Sequence, residues 1–403
     1  MISKNDQFII DYLAGEHALE PSSSSIKFSY ICNPDKTIRW LFPESLKSPM
    51  FLNFYSTSSW RSRVLKFIIK SAYFFRLSTL ISSGTLKINI QQGSRLAHIL
   101  SKYKYNGFSI FTGTIGVNRK AIVELHQDKE VQVFVKIALT EPAEILIKNE
   151  AKCLGYLKKF KFNRLVIPDL LCCNEQGVIG LSNIKPYIYI QSYNLMNLHI
   201  EALSELYTKS IKKVKWANLY NLHDSKVKVT DLLQDFKIIN NLDKSRVQEL
   251  ATKILLLIDI LEERNEELTV AISHGDFTPW NMYHSKKILY LFDWELSEFD
   301  MPLLIDAFHY VFQSSILIKK VSYKDLILKL KESLKLTDSK KMIEKYNIDV
   351  NLNYQFYLVY TVSYYLKKYT LQQELHEQVF WLIDVWEEAI KNAIETKGKV
   401  LNI

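Results

Sequence analysis

The first forty residues alternate between apolar runs and short polar breaks. Residues 26–32 and 37–42 are apolar and β-branched, and Asn-Pro-Asp-Lys separates them at 33–36. This pattern predicts two strands joined by a hairpin turn. Residues 1–20 are more polar and predict a short helix or a tail, followed by a flexible serine-rich connector.

Residues 59–81 form a longer segment in which apolar residues are spaced as in a helix. Arg63, Lys66 and Lys70 fall on one face of that helix, and a wide apolar surface occupies the rest. Two interpretations are open. The helix packs on its own domain, or it is a basic amphipathic helix that rests on an anionic membrane.

The middle of the chain changes from extended to helical patterns. Three β-branched and aromatic runs are separated by short polar turns, at 107–113, 119–127 and 131–139. They predict an antiparallel meander. A helix is predicted from 141 to 160, and two further strands at 166–173 and 177–183.

After Pro186 helical patterns dominate, with predicted helices over 230–242, over 245–264 and through most of 321–396. The predicted organisation is therefore an N-terminal accessory region (1–100), a small β-rich lobe (101–185) and a larger helical lobe (186–403). This layout is typical of the α+β class.

Composition restricts the class of protein. Hydrophobic residues make up 48% and charged residues 24% of 403 residues, as in globular domains. With 11 glycines and 9 prolines, collagen-like and Pro/Gly-rich disordered classes are excluded. No apolar run is long enough for a membrane-spanning helix, and the acidic start does not suit a signal peptide. The four cysteines lack metal-site spacing and are expected to be reduced. A cytoplasmic location is therefore expected.

The positive charge is concentrated in one segment. The net charge is +9, and residues 45–123 contain twelve basic side chains and no acidic one. Such a block predicts a surface that faces an anionic partner: a nucleotide, a phosphorylated substrate, nucleic acid or lipid headgroups. No helix-turn-helix, RNP motif or zinc-finger spacing is present, so nucleic acid is not expected as a partner. Peripheral contact with an anionic membrane through 45–123 remains a hypothesis.

The most informative stretch for chemistry is SHGDFTPWN at 273–281, followed by a strand that runs into LYLFDWE. Asp276 and Asn281 lie five residues apart on a loop that contains a proline, and Asp293 ends the next strand. A turn after the loop would return Asp293 to its side. Two carboxylates and an amide oxygen are hard ligands that suit magnesium carrying phosphates. Asp276 could then orient an attacking hydroxyl and accept its proton.

This arrangement resembles the catalytic core of the aminoglycoside phosphotransferase and choline kinase family, whose fold is bilobal and protein-kinase-like. The resemblance implies that Asp276 is the catalytic base and that Asn281 and Asp293 bind magnesium. It also implies that His274 braces the loop and that Asp306 holds the catalytic segment from behind.

The upstream half of the chain agrees with the resemblance. Gly113, Thr114 and Gly116 lie in the turn between two predicted strands, where backbone amides could close over phosphates, although a plain hairpin turn would look the same. Lys136 lies in an apolar strand and needs a partner, for which Glu150 in the next helix is the candidate. The resemblance implies that this pair grips the α- and β-phosphates of ATP or GTP.

Two departures from protein kinases favour a small acceptor. Gly275 replaces the arginine of the HRD loop, and only a short segment joins Glu295 to Met301. We therefore predict a magnesium-dependent phosphotransferase that acts on a hydroxyl of a sugar, an amino alcohol or a glycolipid. A catalytically silent, membrane-recruited scaffold and, less favoured, a protein kinase are the alternatives.

Several nearby residues receive two interpretations. Glu295 could support a second metal ion or form a surface salt bridge. Arg119 and Lys120 could add charge near the phosphates, but solubility at a strand edge is favoured. His284 and His309 are interpreted as ordinary surface or core residues.

Overall fold

The structure is a computed structural model, and it describes residues 2–46, 48–53, 60–75, 77, 81–127, 130–174, 177–234, 238 and 240–401. The chain divides into two compact units. Unit 1 comprises Met1–Ala151 and Asp169–Asn183, and unit 2 comprises Lys152–Pro168 and Ile184–Ile403. An antiparallel sheet dominates unit 1 and helices dominate unit 2, which confirms the predicted α+β class.

The strands are β1 Ile26–Cys32, β2 Ile38–Pro43, β3 Gly84–Ile88, β4 Gly107–Phe111, β5 Lys120–Gln127, β6 Glu130–Ala138, β7 Leu165–Val166, β8 Leu170–Asn174, β9 Val178–Ser182, β10 Lys212–Lys215, β11 Glu267–Ser273, β12 Met282–His284, β13 Leu289–Leu291 and β14 Glu298–Pro302. The α-helices are α1 Lys4–Ala14, α2 Trp60–Phe74, α3 Arg95–Lys102, α4 Glu141–Leu157, α5 Asn197–Ser210, α6 Tyr220–Leu233, α7 Lys244–Glu262, α8 Ile305–Gln313, α9 Tyr323–Leu334, α10 Thr337–Tyr346, α11 Val350–Thr370 and α12 Glu377–Glu395.

Unit 1 contains one eight-stranded antiparallel sheet in the order β3-β1-β2-β4-β5-β6-β9-β8. The strands of the N-terminal region belong to this sheet, because β2 pairs with β4 through Trp40↔Phe111 and Leu41↔Ile110. Helix α1 is tied to the same sheet by Asp6, a buried carboxylate whose Oδ1 accepts a 3.1 Å hydrogen bond from the Ile38 amide. Strands β1, β2 and β3 therefore extend the sheet of unit 1.

Helix α2 covers about the first two thirds of the segment predicted to be helical over 59–81. It begins at Trp60 and ends at Phe74; residues 59, 76 and 78–80 lie outside the described part of the chain. Its buried contacts come from Ile69 and Tyr73, which pack in one cluster with aromatic side chains of β2 and of the short 3₁₀ turn Met50–Asn53.

Unit 2 consists of helices with two three-stranded sheets, β10-β11-β14 and β12-β13-β7. Strands β10 and β14 lie outside the predicted helices and strands, and both pair with β11, which is distant from β10 in sequence. The helix predicted over 230–242 is wrong in its extent, since α6 ends at Leu233. Asn240 caps the Leu242 amide through its side chain, which competes with helix formation. Residues 235–237 and 239 lie outside the described residues.

Within the described residues, no helix is both long enough and apolar enough to cross a membrane.

Candidate active site

The HGD loop begins where β11 ends, and Gly275 determines its path. Gly275 has φ +80°, and a Cβ there would lie 1.8 Å from the carbonyl oxygen of Leu296. Only glycine accepts both the left-handed backbone and this close approach. The structure therefore gives a steric reason for glycine at the position where protein kinases carry arginine.

Asp306 at the start of α8 holds the loop from behind. Its carboxylate is fully buried and accepts three hydrogen bonds, from Ser273 Oγ at 2.8 Å, the His274 amide at 2.9 Å and the Gly275 amide at 3.1 Å. A buried carboxylate is stabilised when donors surround it in this way. The contact connects α8 rigidly to the loop.

His274 fastens the loop to the following strand. Its Nδ1 accepts a hydrogen bond from the Asp276 amide at 3.3 Å, and its Nε2 lies 3.0 Å from the carbonyl oxygen of Phe292. Because Nδ1 accepts, the proton of the neutral ring is on Nε2, which donates to Phe292. The imidazole is fully buried against the Trp294 ring, at 4.7 Å between centroids.

The β12–β13 hairpin brings Asp293 back beside the loop. The Phe292 amide donates to the carbonyl oxygen of Asn281 at 3.1 Å, so the residue after Phe292 emerges next to Asn281. Asp293 has φ +68°, a left-handed conformation that few residues other than glycine adopt, although aspartate does so more readily than most. Its carboxylate lies within 4.8 Å of the carboxylate of Glu295.

Asn281 also contacts Asp276 directly. Its Nδ2 donates to Asp276 Oδ2 at 2.7 Å and to the Asp276 carbonyl at 3.0 Å. With the amide nitrogen used in this way, Oδ1 is the side-chain atom of Asn281 that could serve as a metal ligand. This oxygen and the carboxylates of Asp293 and Glu295 are hard donors, which fits Mg²⁺.

Sequence reasoning missed His309. Its Nε2 lies 3.3 Å from Asp276 Oδ1, and its ring is almost completely buried. His309 is therefore neither an ordinary surface nor an ordinary core residue. The available signal was spacing: His309 follows Asp306 by three residues on α8, which puts both side chains on the face of the helix that meets the loop.

Helix α11 contributes aromatic residues and a lysine near Asp276. The Tyr365 ring lies parallel to the His309 ring at 6.4 Å between centroids. Burial, reinforced by the charge of Asp276, raises the pKa of Tyr365 well above its usual value. Burial lowers the pKa of Lys368, and the charge of Asp276 opposes that effect. Asp276, which the resemblance assigns as the catalytic base, therefore has aromatic side chains and a lysine in its surroundings.

In unit 1, Lys136 of β6 and Glu150 of α4 form a buried ion pair. Lys136 Nζ donates to Glu150 Oε1 at 2.9 Å and to Oε2 at 2.7 Å. Glu150 is completely buried and Lys136 is 8% exposed. Because both carboxylate oxygens are used by one ammonium, the position of Lys136 is tightly defined.

The turn between β4 and β5 contains the predicted glycines. Gly113 has φ +77°, and a Cβ there would lie 2.0 Å from the Lys120 carbonyl, whereas a Cβ on Gly116 would enter open space. Thr114 is exposed. The turn itself therefore requires Gly113, and its shape does not require Gly116.

Arg119 has a different role from the predicted one. Its side chain is buried, and Nε donates to the Thr112 carbonyl at 3.1 Å across the turn. Burial lowers the pKa of this guanidinium, while the charges of Asp6 and Asp35 oppose the effect. Arg119 braces the turn from within; it is not a solubilising residue at a strand edge.

No protein-family model matches the chain, and no curated protein matches it. A solved choline kinase from Cryptosporidium parvum Iowa II is 12% identical with a TM-score of 0.46, over 72% of this chain and 90% of its own. A ternary complex of streptomycin, ATP and APH(2″)-IIa is 14% identical with a TM-score of 0.44, over 76% and 97%. A glucosamine kinase is 9% identical with a TM-score of 0.42, over 70% and 92%.

Proposed function

We propose that the chain is a phosphotransferase that transfers the γ-phosphate of ATP to a hydroxyl of a small molecule with the help of Mg²⁺. The observation that carries the proposal is the position of Asp276. Its carboxylate is held between the Asn281 amide at 2.7 Å and His309 at 3.3 Å, on a loop that Asp306 anchors. A carboxylate oriented from two sides suits a base that must align one hydroxyl.

Each residue has a distinct role in this proposal. Asn281 Oδ1 and Asp293 would hold Mg²⁺, with Glu295 close enough to assist. The bound ion would neutralise charge on the phosphate oxygens. Asp276 accepts the proton of the acceptor hydroxyl, which it can do because each carboxylate oxygen has a second lone pair beside its present hydrogen bond.

Unit 1 would supply the nucleotide phosphates with a cation and a backbone cradle. Lys136, fixed by Glu150, would contact the α- and β-phosphates, and the turn that contains Gly113, Thr114 and Gly116 would cover them. Arg119 keeps that turn in shape through its bond to the Thr112 carbonyl. ATP is the proposed donor, and GTP is tested beside it.

We propose a hydroxyl of a sugar, an amino alcohol or a glycolipid as the acceptor, and the acceptor panel below distinguishes these classes.

The test is phosphoryl transfer from ATP or GTP, with and without Mg²⁺, against panels of sugars, glycolipids, amino alcohols and proteins. We expect turnover with at least one sugar, amino alcohol or glycolipid acceptor, and loss of at least about 10³-fold in kcat for Asp276→Asn with nucleotide affinity kept. The matched control is Asp384→Asn, which changes a surface carboxylate in the same way, and its kcat should equal that of the native chain. Nucleotide binding without turnover on any acceptor would support the silent scaffold, and transfer to proteins alone would support a protein kinase.

A further inference from the structure

Helix α2 presents large apolar side chains outward. Trp60 is 66% exposed, Phe67 is 72% exposed and Phe74 is 81% exposed. Val64 and Ile68 are also exposed, at 45% and 48%. Single exposed apolar residues are ordinary, but a contiguous set of this size marks an interaction surface.

These side chains lie on one face of the helix. Trp60, Val64, Phe67 and Ile68 follow the spacing i, i+4, i+7 and i+8, which places them on a single stripe. Ile69, only 2% exposed, lies on the opposite side and packs into the sheet. The helix is thus held by a narrow inner stripe, while Val64, Phe67 and Ile68 on its broader outer face remain about half-exposed or more.

The apolar stripe continues beyond the helix and is bordered by cations. Phe75 is 66% exposed and Leu77 is 48% exposed. Arg63 and Lys70, both exposed, lie along one border of the stripe, about two helical turns apart. No acidic residue occurs between 45 and 123, so nothing in this segment neutralises them.

We propose that the outer face of α2, made of Trp60, Val64, Phe67, Ile68 and Phe74, binds the surface of a membrane that contains anionic lipids. Apolar and aromatic side chains would enter the boundary between headgroups and acyl chains, and the neighbouring cations would contact lipid phosphates. Fifteen helical residues span about 22 Å, which suits a helix that lies in the plane of the interface.

Charge complementarity selects lipid over a second copy of the chain. A two-fold symmetric contact through this face would bring Arg63 and Lys70 of both copies together, with no acidic residue in either segment. Like charges facing each other oppose such an interface. An anionic lipid surface offers acyl chains to the apolar stripe and negatively charged headgroups to its cationic border.

The experiment is flotation of the full chain with vesicles of phosphatidylcholine alone or with 30% phosphatidylserine. The variants are Phe67→Ser with Phe74→Ser, and Arg63→Gln with Lys70→Gln. The control is Leu256→Ser with Ile260→Ser, which removes two exposed apolar residues from α7. We expect the native chain and the control to bind anionic vesicles, less strongly at high salt. The Arg63/Lys70 variant should bind at least about tenfold more weakly, since each basic residue near an anionic surface contributes a factor of about five. The Phe67/Phe74 variant should also bind at least about tenfold more weakly, because it removes two large apolar side chains from the interface.

The proposal would be overturned if binding of the native chain did not depend on the phosphatidylserine content of the vesicles. It would also be overturned if the native chain and the Phe67/Phe74 variant bound equally. A native dimer in light scattering that the same variant converts to a monomer, with no vesicle binding, would identify a second copy as the occupant and would also overturn it. Because all substituted side chains are exposed, urea unfolding should be unchanged, which separates this test from loss of folding. Phosphotransfer is not measured, so the proposed function and this inference can fail independently.

Discussion

The buried pair of Lys136 and Glu150 allows a contribution to stability to be separated from a contribution to function. Lys136→Met leaves the fully buried Glu150 carboxylate without its ammonium, and Glu150→Leu leaves the ammonium without its carboxylate. Breaking a buried pair from one side costs about 3–5 kcal/mol, whereas replacing both partners by apolar residues of similar size is close to neutral. We expect each single variant to lose about 3–5 kcal/mol of unfolding free energy and the double variant to lie within about 1 kcal/mol of the native chain.

The assay is urea unfolding of the full chain without nucleotide, followed by circular dichroism. Because the chain has two compact units, hydrogen exchange of the β6 amides reports unit 1 separately. The control cycle uses the surface pair of Lys253 and Glu249 on α7, 2.6 Å apart with side chains 31% and 69% exposed. There we expect at most about 0.5 kcal/mol for any variant.

The functional result should differ from the stability result. The double variant should be as stable as the native chain and still lose at least about 100-fold in turnover, because no ammonium remains to contact phosphates. A double variant as unstable as the singles would refute the reasoning about buried charge. A double variant that is stable and keeps native turnover would refute the proposed role of Lys136.

Three further predictions concern unit 2. Gly275→Ala should lower the free energy of unfolding by at least about 3 kcal/mol, because its Cβ would overlap a backbone carbonyl at φ +80°. The control Gly93→Ala adds a Cβ in open space and should change the free energy of unfolding little. Equal effects of the two variants in urea unfolding would contradict the steric argument. Burial raises the pKa of Glu298 to about 7, so stability falls as pH rises from about 4.5 to 7. Glu298→Gln should therefore raise the free energy of unfolding by up to about 3 kcal/mol at pH 8 and by almost nothing at pH 4.5. An equal effect at both pH values would show that the gain does not come from the ionisation of Glu298. His309→Ala should lower kcat about 10- to 100-fold with KM for ATP unchanged. His309→Gln should recover part of the loss, because its amide nitrogen can donate a hydrogen bond to Asp276. Loss of nucleotide affinity in place of the loss in kcat would show a structural role.

Local signals explain what was predictable in unit 1. The hairpin over 26–42 needs only its apolar runs and the Asn-Pro-Asp-Lys turn, and β1 and β2 lie within about one residue of the prediction. The interpretation of Arg119 as a solubilising residue was wrong, because its environment depends on tertiary folding and not on its sequence neighbours. Its sequence neighbours suggest a strand edge, but the turn folds over it and buries its guanidinium.

Distance along the chain explains what was missed in unit 2. His309 contacts Asp276 across 33 residues, and the only local signal for it is indirect, the three-residue spacing that puts His309 on the same face of α8 as Asp306. Strands β10 and β14 are short, and both depend on β11, which lies far from β10 in sequence. Their residues become strands because a partner offers backbone hydrogen bonds.

The sequence by itself determined the α+β class, most of the element order and the candidate residues of the HGD loop and the DWE segment. Periodicity, turn residues and motif spacing are properties of neighbours along the chain, so they can be inferred without coordinates. Only the tertiary structure decided that His309 holds Asp276, that Gly275 is required by a carbonyl, and that α2 presents its apolar face outward. These features depend on which distant surfaces meet and which remain uncovered, and that is determined by packing.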